Sequence, residues 1–237
     1  MKQRHNQSVA GVEVGVLTLD TRHVLVPGNV QHARSFEFPV RYEVVKGVAG
    51  AALMAGEPGA ALAIITGARN LEAMGVSVIV GACGSFANYQ AQVAAEVAIP
   101  VFMSILLEVP LLLRGLPPSR KLGIIFASTA TFTDEVRDQC DIRESSRIVA
   151  IGADRIDAFG AILRQSSELD SRALETGLVQ LCEATLDKEP SLGAWLLQCS
   201  DLPPYASAIH KATQLPVFDM VSFINHVHSA CGPRAFA

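Results

Sequence analysis

No apolar run in this chain reaches the ~18 residues that a membrane-spanning helix needs. The longest, Ile99 to Leu113, is interrupted by Ser104, Glu108 and Pro110. A membrane is therefore not an expected partner. CxxC pairs are also missing, and the cysteine count of five is odd. Those two facts argue against a zinc knuckle or a disulfide framework and in favour of free thiols. Neither GxGxxG nor GxxxxGK[ST] occurs, so nothing supports a nucleotide site. Charge is scarce, at 18% of residues, and the net value of −4 leaves no basic footprint for nucleic acid. The polar N-terminus, Met1-Lys-Gln-Arg-His-Asn-Gln, has no apolar signal core behind it, which makes the cytoplasm the expected compartment.

The chain is rich in apolar residues, which make up 50% of its 237 positions, enough to bury a sizeable core. Its most informative feature occurs twice. Val76-Ser-Val-Ile-Val-Gly-Ala-Cys83-Gly84-Ser85 is an apolar run ending in a thiol and a turn. Leu192-Gly-Ala-Trp-Leu-Leu-Gln-Cys199-Ser200-Asp201 does the same. Each cysteine is followed six residues on by a tyrosine (Tyr89, Tyr205) and seventeen on by Pro-Val-Phe (Pro100, Pro216). Equal spacing in two halves points to internal duplication.

The grammar around the repeats fits it. Glu13–Leu19 reads as a strand ending at Asp20-Thr21-Arg22, and Lys121–Ala127 as one ending at Ser128-Thr129. Aligned on Gly15 and Gly123, the two match. Further strands are expected at Val40–Lys46, Pro100–Met103, Arg147–Ile151 and Pro216–Met220. Helices are expected at Glu57–Met74, Ala87–Val97, Leu106–Leu113, Thr133–Cys140, Ser167–Leu186, Pro203–Thr213 and Ser222–Ser229. Thr131 or Thr133 is the candidate N-cap of the Thr133 helix. Residues 1–11 read as a loose arm. The connection His23–Pro39 is long enough to suggest a lid or binding loop. Strands alternating with helices give an α/β chain with parallel sheets covered on both faces. Two similar lobes are expected, residues 12–104 with 217–237 and residues 105–216. Ligands bind beyond the carboxyl ends of strands in such sheets. Asp20, Cys83, Ser128 and Cys199 all sit at such ends, so the site is expected in a cleft between the lobes.

Two facing thiols suit proton transfer on both sides of a flat carbanion. One thiolate removes the proton alpha to a carboxylate, and the opposite thiol returns one, with no cofactor needed in principle. Cys83 and Cys199 are the candidate bases. Ser85, Asn88, Ser128, Thr129, Ser200 and Thr21 are candidate donors to the enolate, and Arg22 a candidate carboxylate clamp. Asp20 reads equally as an acid/base group or a turn cap. Cys140, Cys182 and Cys231 read as buried hydrophobes. Tyr89 and Tyr205 read as core or cleft-wall aromatics, and His226 and His228 as structural.

Strand-Cys83-Gly84-Ser85, Leu197-Gln198-Cys199-Ser200-Asp201-Leu202-Pro203-Pro204-Tyr205 and Leu19-Asp20-Thr21-Arg22 resemble the aspartate/glutamate/hydantoin racemase superfamily, over roughly Val12 to His228. The resemblance implies two Rossmann-like lobes related by a pseudo-twofold axis, catalysis without pyridoxal phosphate or another cofactor, and a homo-oligomer. It assigns the paired catalytic cysteines to Cys83 and Cys199 and the auxiliary acid to Asp20, and it matches Thr21 to the small hydroxyl residue that often follows that acid. Gly84, Ser85, Ser200 and Asp201, beside the cysteines, are further candidates to bind a small-molecule carboxylate. Glutamate racemases carry Cys-Asn-Thr and Cys-Thr-His where this chain has Cys83-Gly84-Ser85 and Cys199-Ser200-Asp201. The Cys-Ser-Asp-Leu-Pro-Pro-Tyr segment and the loop through Pro27-Gly28 are more similar to the branch of the algal dimethylsulfoniopropionate lyases. A racemase or epimerase, a lyase or isomerase on the same scaffold, and a non-catalytic carboxylate binder are the three expectations.

Overall fold

The computed structural model describes residues 10–232; most of the expected arm and residues 233–237 lie outside them. Two four-stranded parallel sheets form the frame. The first contains β1 (Val14–Leu19), β2 (Val40–Val45), β3 (Val78–Gly81) and β4 (Val101–Phe102), in the order β2-β1-β3-β4. The second contains β5 (Lys121–Phe126), β6 (Ile148–Gly152), β7 (Leu192–Leu197) and β8 (Val217–Asp219), in the order β6-β5-β7-β8. Adding four to each strand number turns one order into the other, as a duplicated unit requires.

Register repeats the match. Gly15 of β1 lies opposite Ile79 of β3, and Gly123 of β5 opposite Trp195 of β7. Central strands are buried on both faces and read as continuous Val/Ile/Leu runs. Helices α1 (Gly50–Met54), α2 (Pro58–Ala73) and α3 (Gln90–Ala94) belong to the first half, and α4 (Val109–Gly115) leaves it. Helices α5 (Asp134–Gln139), α6 (Gly160–Leu163), α7 (Ser171–Lys188) and α8 (Ala206–Thr213) belong to the second, and α9 (Met220–Cys231) leaves it.

Helix ends follow local chemistry. Pro58 opens α2, where a missing N–H loses nothing. Asp170 accepts the Ala173 N–H and caps α7, which buries Leu174, Leu178 and Cys182 at helical spacing. Thr133, not Thr131, caps α5.

Three apolar clusters result. One fills the outer face of the first sheet under α2 and another the outer face of the second under α7. A third lies between the sheets and joins Val14 and Val78 to Leu122 and Leu196, with Leu113 of α4 and Ile224 of α9. The shared cluster holds the two strand ends in fixed relation, which is what a site between lobes needs.

The coordinates correct several expectations. β8 pairs with β7, so Val217–Asp219 belong to the second lobe and the crossover back begins at Met220, three residues later than expected. After Cys83 the chain first makes a 3₁₀ turn over Gly84–Tyr89 before α3. α1 starts at Gly50, three residues past Gly47, where glycine composition alone would favour a loop. Short turns over residues 153–163, including α6, had no periodic signal.

Gly123 is needed because an added Cβ would lie 2.5 Å from the buried Trp195 ring. Gly123→Ala is expected to destabilise the fold by ~1–3 kcal/mol through overpacking. Urea unfolding followed by Trp195 fluorescence checks this, and an unchanged midpoint would contradict it.

Candidate active site

Each cysteine sits where its strand ends. Cys83 lies two residues past β3 with extended backbone and stands at the start of the 3₁₀ turn; Cys199 lies two residues past β7, where the next 3₁₀ turn, Pro203–Tyr205, begins only after Leu202. Both line one cavity of about 490 Å³ between the lobes. The two loops touch directly. A Cβ on Gly84 would collide with the Gln198 side chain and lie 2.8 Å from the Gln198 carbonyl oxygen. Only glycine therefore lets the residue after the first cysteine pack on the residue before the second.

The thiols have different neighbours. Burial raises the Cys83 thiol above its ordinary value of 9.0, while the Ser85 N–H and hydroxyl, both hydrogen-bonded to it, pull the other way. The charge of Asp201 adds a smaller upward push. Cys199 is raised well above 9.0, first by burial and then by the adjacent Asp201 carboxylate. Its S–H donates to Asp201 Oδ2 at 3.6 Å. A charged Cys83 raises it further. Cys83 is thus the thiol that ionises first, and Cys199 the one that keeps its proton.

Asp201 is held from the other lobe. His23 Nε2 lies 2.8 Å from its Oδ1, and Asn29 Nδ2 donates to the same oxygen at 2.6 Å. Both partners come from the long connection after β1. Gly28, at φ +98°, lets that loop press on Pro204, and the Val30 N–H reaches the Ser200 carbonyl at 3.4 Å. The two segments that set this chain apart from glutamate racemases therefore dock onto each other.

Behind His23 stands Gln165. Its Oε1 accepts the Arg22 N–H at 2.8 Å and its Nε2 donates to the Ile162 carbonyl at 3.1 Å. That fixes the amide, which presents N–H to His23 Nδ1 at 3.1 Å. In the neutral imidazole, Nδ1 accepts and Nε2 carries the proton toward Asp201. Burial works against the imidazolium, but the hydrogen bond and charge of Asp201 outweigh it and raise the His23 pKa above 6.5.

Of the residues expected in the site, Cys83, Cys199, Asp20, Thr21, Gly84, Ser85, Ser200 and Asp201 line the cavity. Asp20 is exposed at its edge, and Gln31 Nε2 donates to the Thr21 hydroxyl at 3.1 Å. Arg22, Ser128 and Thr129 lie outside the lining. The chain turns after Ser128, whose carbonyl accepts the Thr131 hydroxyl at 2.8 Å, and Thr131 takes the place expected of its neighbours. Asn88 is buried and binds the Leu53 and Ser85 carbonyls. Tyr89 and Tyr205 are buried braces that reach the Glu57 carbonyl and Ser171. Nothing in the sequence marks Gln165 or Gln198 as a site residue, and Thr131 reads there only as a candidate helix cap; the length of the loop after β1 is the one available signal for His23.

No family model matches the chain. Among solved structures, an aspartate racemase homologue from Pyrococcus horikoshii OT3 superposes with a TM-score of 0.58 at 18% identity, over 92% of this chain and 98% of that one. Unliganded arylmalonate decarboxylase gives 0.57 at 17%, over 95% and 94%. The chain has the aspartate/glutamate racemase fold. Its sequence is similar to curated dimethylsulfoniopropionate lyases. Lyase 5 of Emiliania huxleyi (strain CCMP1516) is 27% identical over 92% of this chain and 45% of its own length. Lyase 7 of the same strain is 29% identical over 90% and 65%, and the lyase of Durusdinium sp. clade D is 27% identical over 90% and 73%. The chain spans about half the length of the first of these relatives. The resemblance read from the cysteine motifs holds for fold and branch alike. No helix among the described residues is long and apolar enough to cross a membrane.

Asp201→Asn removes the negative charge that raises both thiols. Ionisation of Cys199 and Cys83 is then expected at lower pH than in the parent protein. Thiolate absorbance followed through an alkaline titration reads this, and an unmoved or upward-shifted onset would contradict it.

Proposed function

We propose that this chain is a cofactor-independent racemase or epimerase that moves the proton alpha to the carboxylate of a small molecule. The observation that carries the reading is the pair of unlike thiols on one cavity. Cys83, hydrogen-bonded by Ser85, acts as the base; Cys199, held protonated beside Asp201, delivers a proton to the opposite face. Asp201 then takes part in resetting Cys199, with His23 and Asn29 holding its carboxylate in place. The Thr131 hydroxyl is already donated to the Ser128 carbonyl and Ser85 donates to Cys83, so Ser200 and the Gln198 amide are the lining groups left to meet developing enolate charge. Asp20 stands at the edge as an auxiliary acid/base.

A second reading, a lyase, is favoured by the names of the sequence relatives. The first step is the same. Cys83 removes the alpha proton, the electron pair forms a carbon–carbon double bond, and a neutral sulfide leaves from the beta carbon with the C–S electrons. In this case Asp20 faces a sulfonium cation. Dimethyl sulfide released from dimethylsulfoniopropionate identifies this outcome, whereas inverted configuration of a recovered carboxylate identifies the first.

Cys83→Ser is expected to reduce turnover by at least ~100-fold, the usual scale for losing a positioned base. Cys199→Ser is expected to stop inversion while leaving exchange of the alpha proton for deuterium in heavy water. Normal inversion by both variants would end the two-thiol mechanism. Because burial raises Cys83, kcat/KM limited by its thiolate is expected to climb about tenfold per pH unit through neutrality and to level only above pH 9.0. A profile flat from pH 7 upward would contradict a thiol base.

A further inference from the structure

The cavity lining is of two kinds. The residues next to the cysteines, Ser85, Gln198, Ser200 and Asp201, are polar. Its apolar wall is built from two short segments that occupy equivalent places in the two lobes. The stretch Val48–Met54, with α1, follows β2, and the stretch Phe159–Leu163, with α6, follows β6. Leu53 and Phe159 are fully buried behind this wall, and Ile162 is nearly so. Met54 and Leu163 are 40% and 49% exposed, and both belong to the cavity rim. Exposed apolar surface at the mouth of a concave site is surface that a ligand covers.

The charges tell the same story. Among the described residues lining the cavity there is no lysine or arginine. Its one histidine, His23, is engaged on both ring nitrogens by Asp201 and Gln165. The two carboxylates present, Asp20 and Asp201, repel a further anion. A substrate carboxylate can be satisfied by hydroxyls and amides beside the cysteines. A second carboxylate would meet the apolar wall with no counter-charge, and an unpaired buried carboxylate is strongly disfavoured.

We infer that the cleft selects monocarboxylates whose remaining substituent is apolar and rejects dicarboxylates, an inference that takes the position of the carboxylate from the proton-transfer reading above. The wall formed by α1 and α6 sets that specificity, and acidic amino acids are not the substrates.

Titration calorimetry on the resting full chain tests it without any turnover. Propanoate, butanoate and pentanoate are expected to bind progressively tighter, by up to about fourfold per methylene that reaches the wall. Succinate, with the same four carbons as butanoate, is expected to bind at least ~10-fold more weakly, since its second charge lies unpaired. Leu163→Arg, at a half-exposed position that leaves the core alone, is expected to invert the order of butanoate and succinate. Succinate equal to or tighter than butanoate in the parent protein, no tightening along the series, or no binding by any of the monocarboxylates would each overturn the inference. Deuterium incorporation into the bound ligands is read separately. Its absence would count against the thiol mechanism and leave the binding order standing, and the reverse result would spare the mechanism alone.

Discussion

The Asp201 carboxylate, only 12% exposed beside the Cys199 sulfur, is the group on which the arrangement of the site depends. A carboxylate in that position has lost most of its water, and such a charge needs replacement donors. His23 and Asn29 supply them from the opposite lobe. The clasp draws the long loop after β1 across the cleft and seats it on Pro204. Burial raises both thiols most; the same charge then adds to the rise at Cys199, while at Cys83 it is a smaller push set against the donors of Ser85. One anion thus links the geometry of the lobes to the protonation of the reactive groups.

A duplicated scaffold would by itself give two equal half-sites. The sheets, their order and their central glycines do repeat, and so do the braces Tyr89 and Tyr205. The halves part company in the two residues that follow each cysteine. Gly84 is small because Gln198 packs on it, and Ser85 gives its thiol hydrogen-bond donors. Ser200 and Asp201 give theirs an acceptor and a negative charge. Symmetry in the frame puts one cysteine past the end of an equivalent strand in each lobe; asymmetry in those four residues gives the two sulfurs different neighbours.

Much of this was legible in the chain because local pattern and global fold agree. Central strands are near-continuous apolar runs, glycine and proline mark their ends, and cysteine recurs at fixed distance from tyrosine and proline. What stayed hidden was of another kind. His23 and Asp201 are separated by 178 residues and Gln165 from His23 by 142, and nothing in residue type predicts that the three meet. Thr131 replaces Ser128 and Thr129 because one 3₁₀ turn rotates the chain by a residue or two, a choice that alternating hydrophobicity does not encode. α1 begins at a glycine next to other glycines, a composition that favours loops, and its place is set by Asn88 binding the Leu53 carbonyl. Val217 and Phe218 look like any short strand in sequence; only pairing with β7 shows which sheet owns them.

Raised thiol pKa values look unfavourable for catalysis, since fewer thiolates exist at neutral pH. The acidity of the target offsets part of that loss, though less than tenfold in reactivity is gained for each tenfold fall in thiolate fraction. A C–H alpha to a carboxylate is a far weaker acid than a free thiol, so a base with a higher pKa narrows the gap that the proton must cross. Burial strengthens Cys83 as a base for the same reason that it lowers its ionised fraction. In the proposed reaction, partial enclosure of the sulfur also strengthens a hydrogen bond aimed at the enolate, because charges interact more strongly where water is excluded. Ser85 moderates the first effect by donating to the Cys83 sulfur, which keeps the thiolate within reach. Cys199 needs no such help in that reaction, since a proton donor is more useful when its proton stays in place until the carbanion arrives. On that reading two sulfurs that are each only partly exposed gain from their enclosure what an open, solvated pair would not.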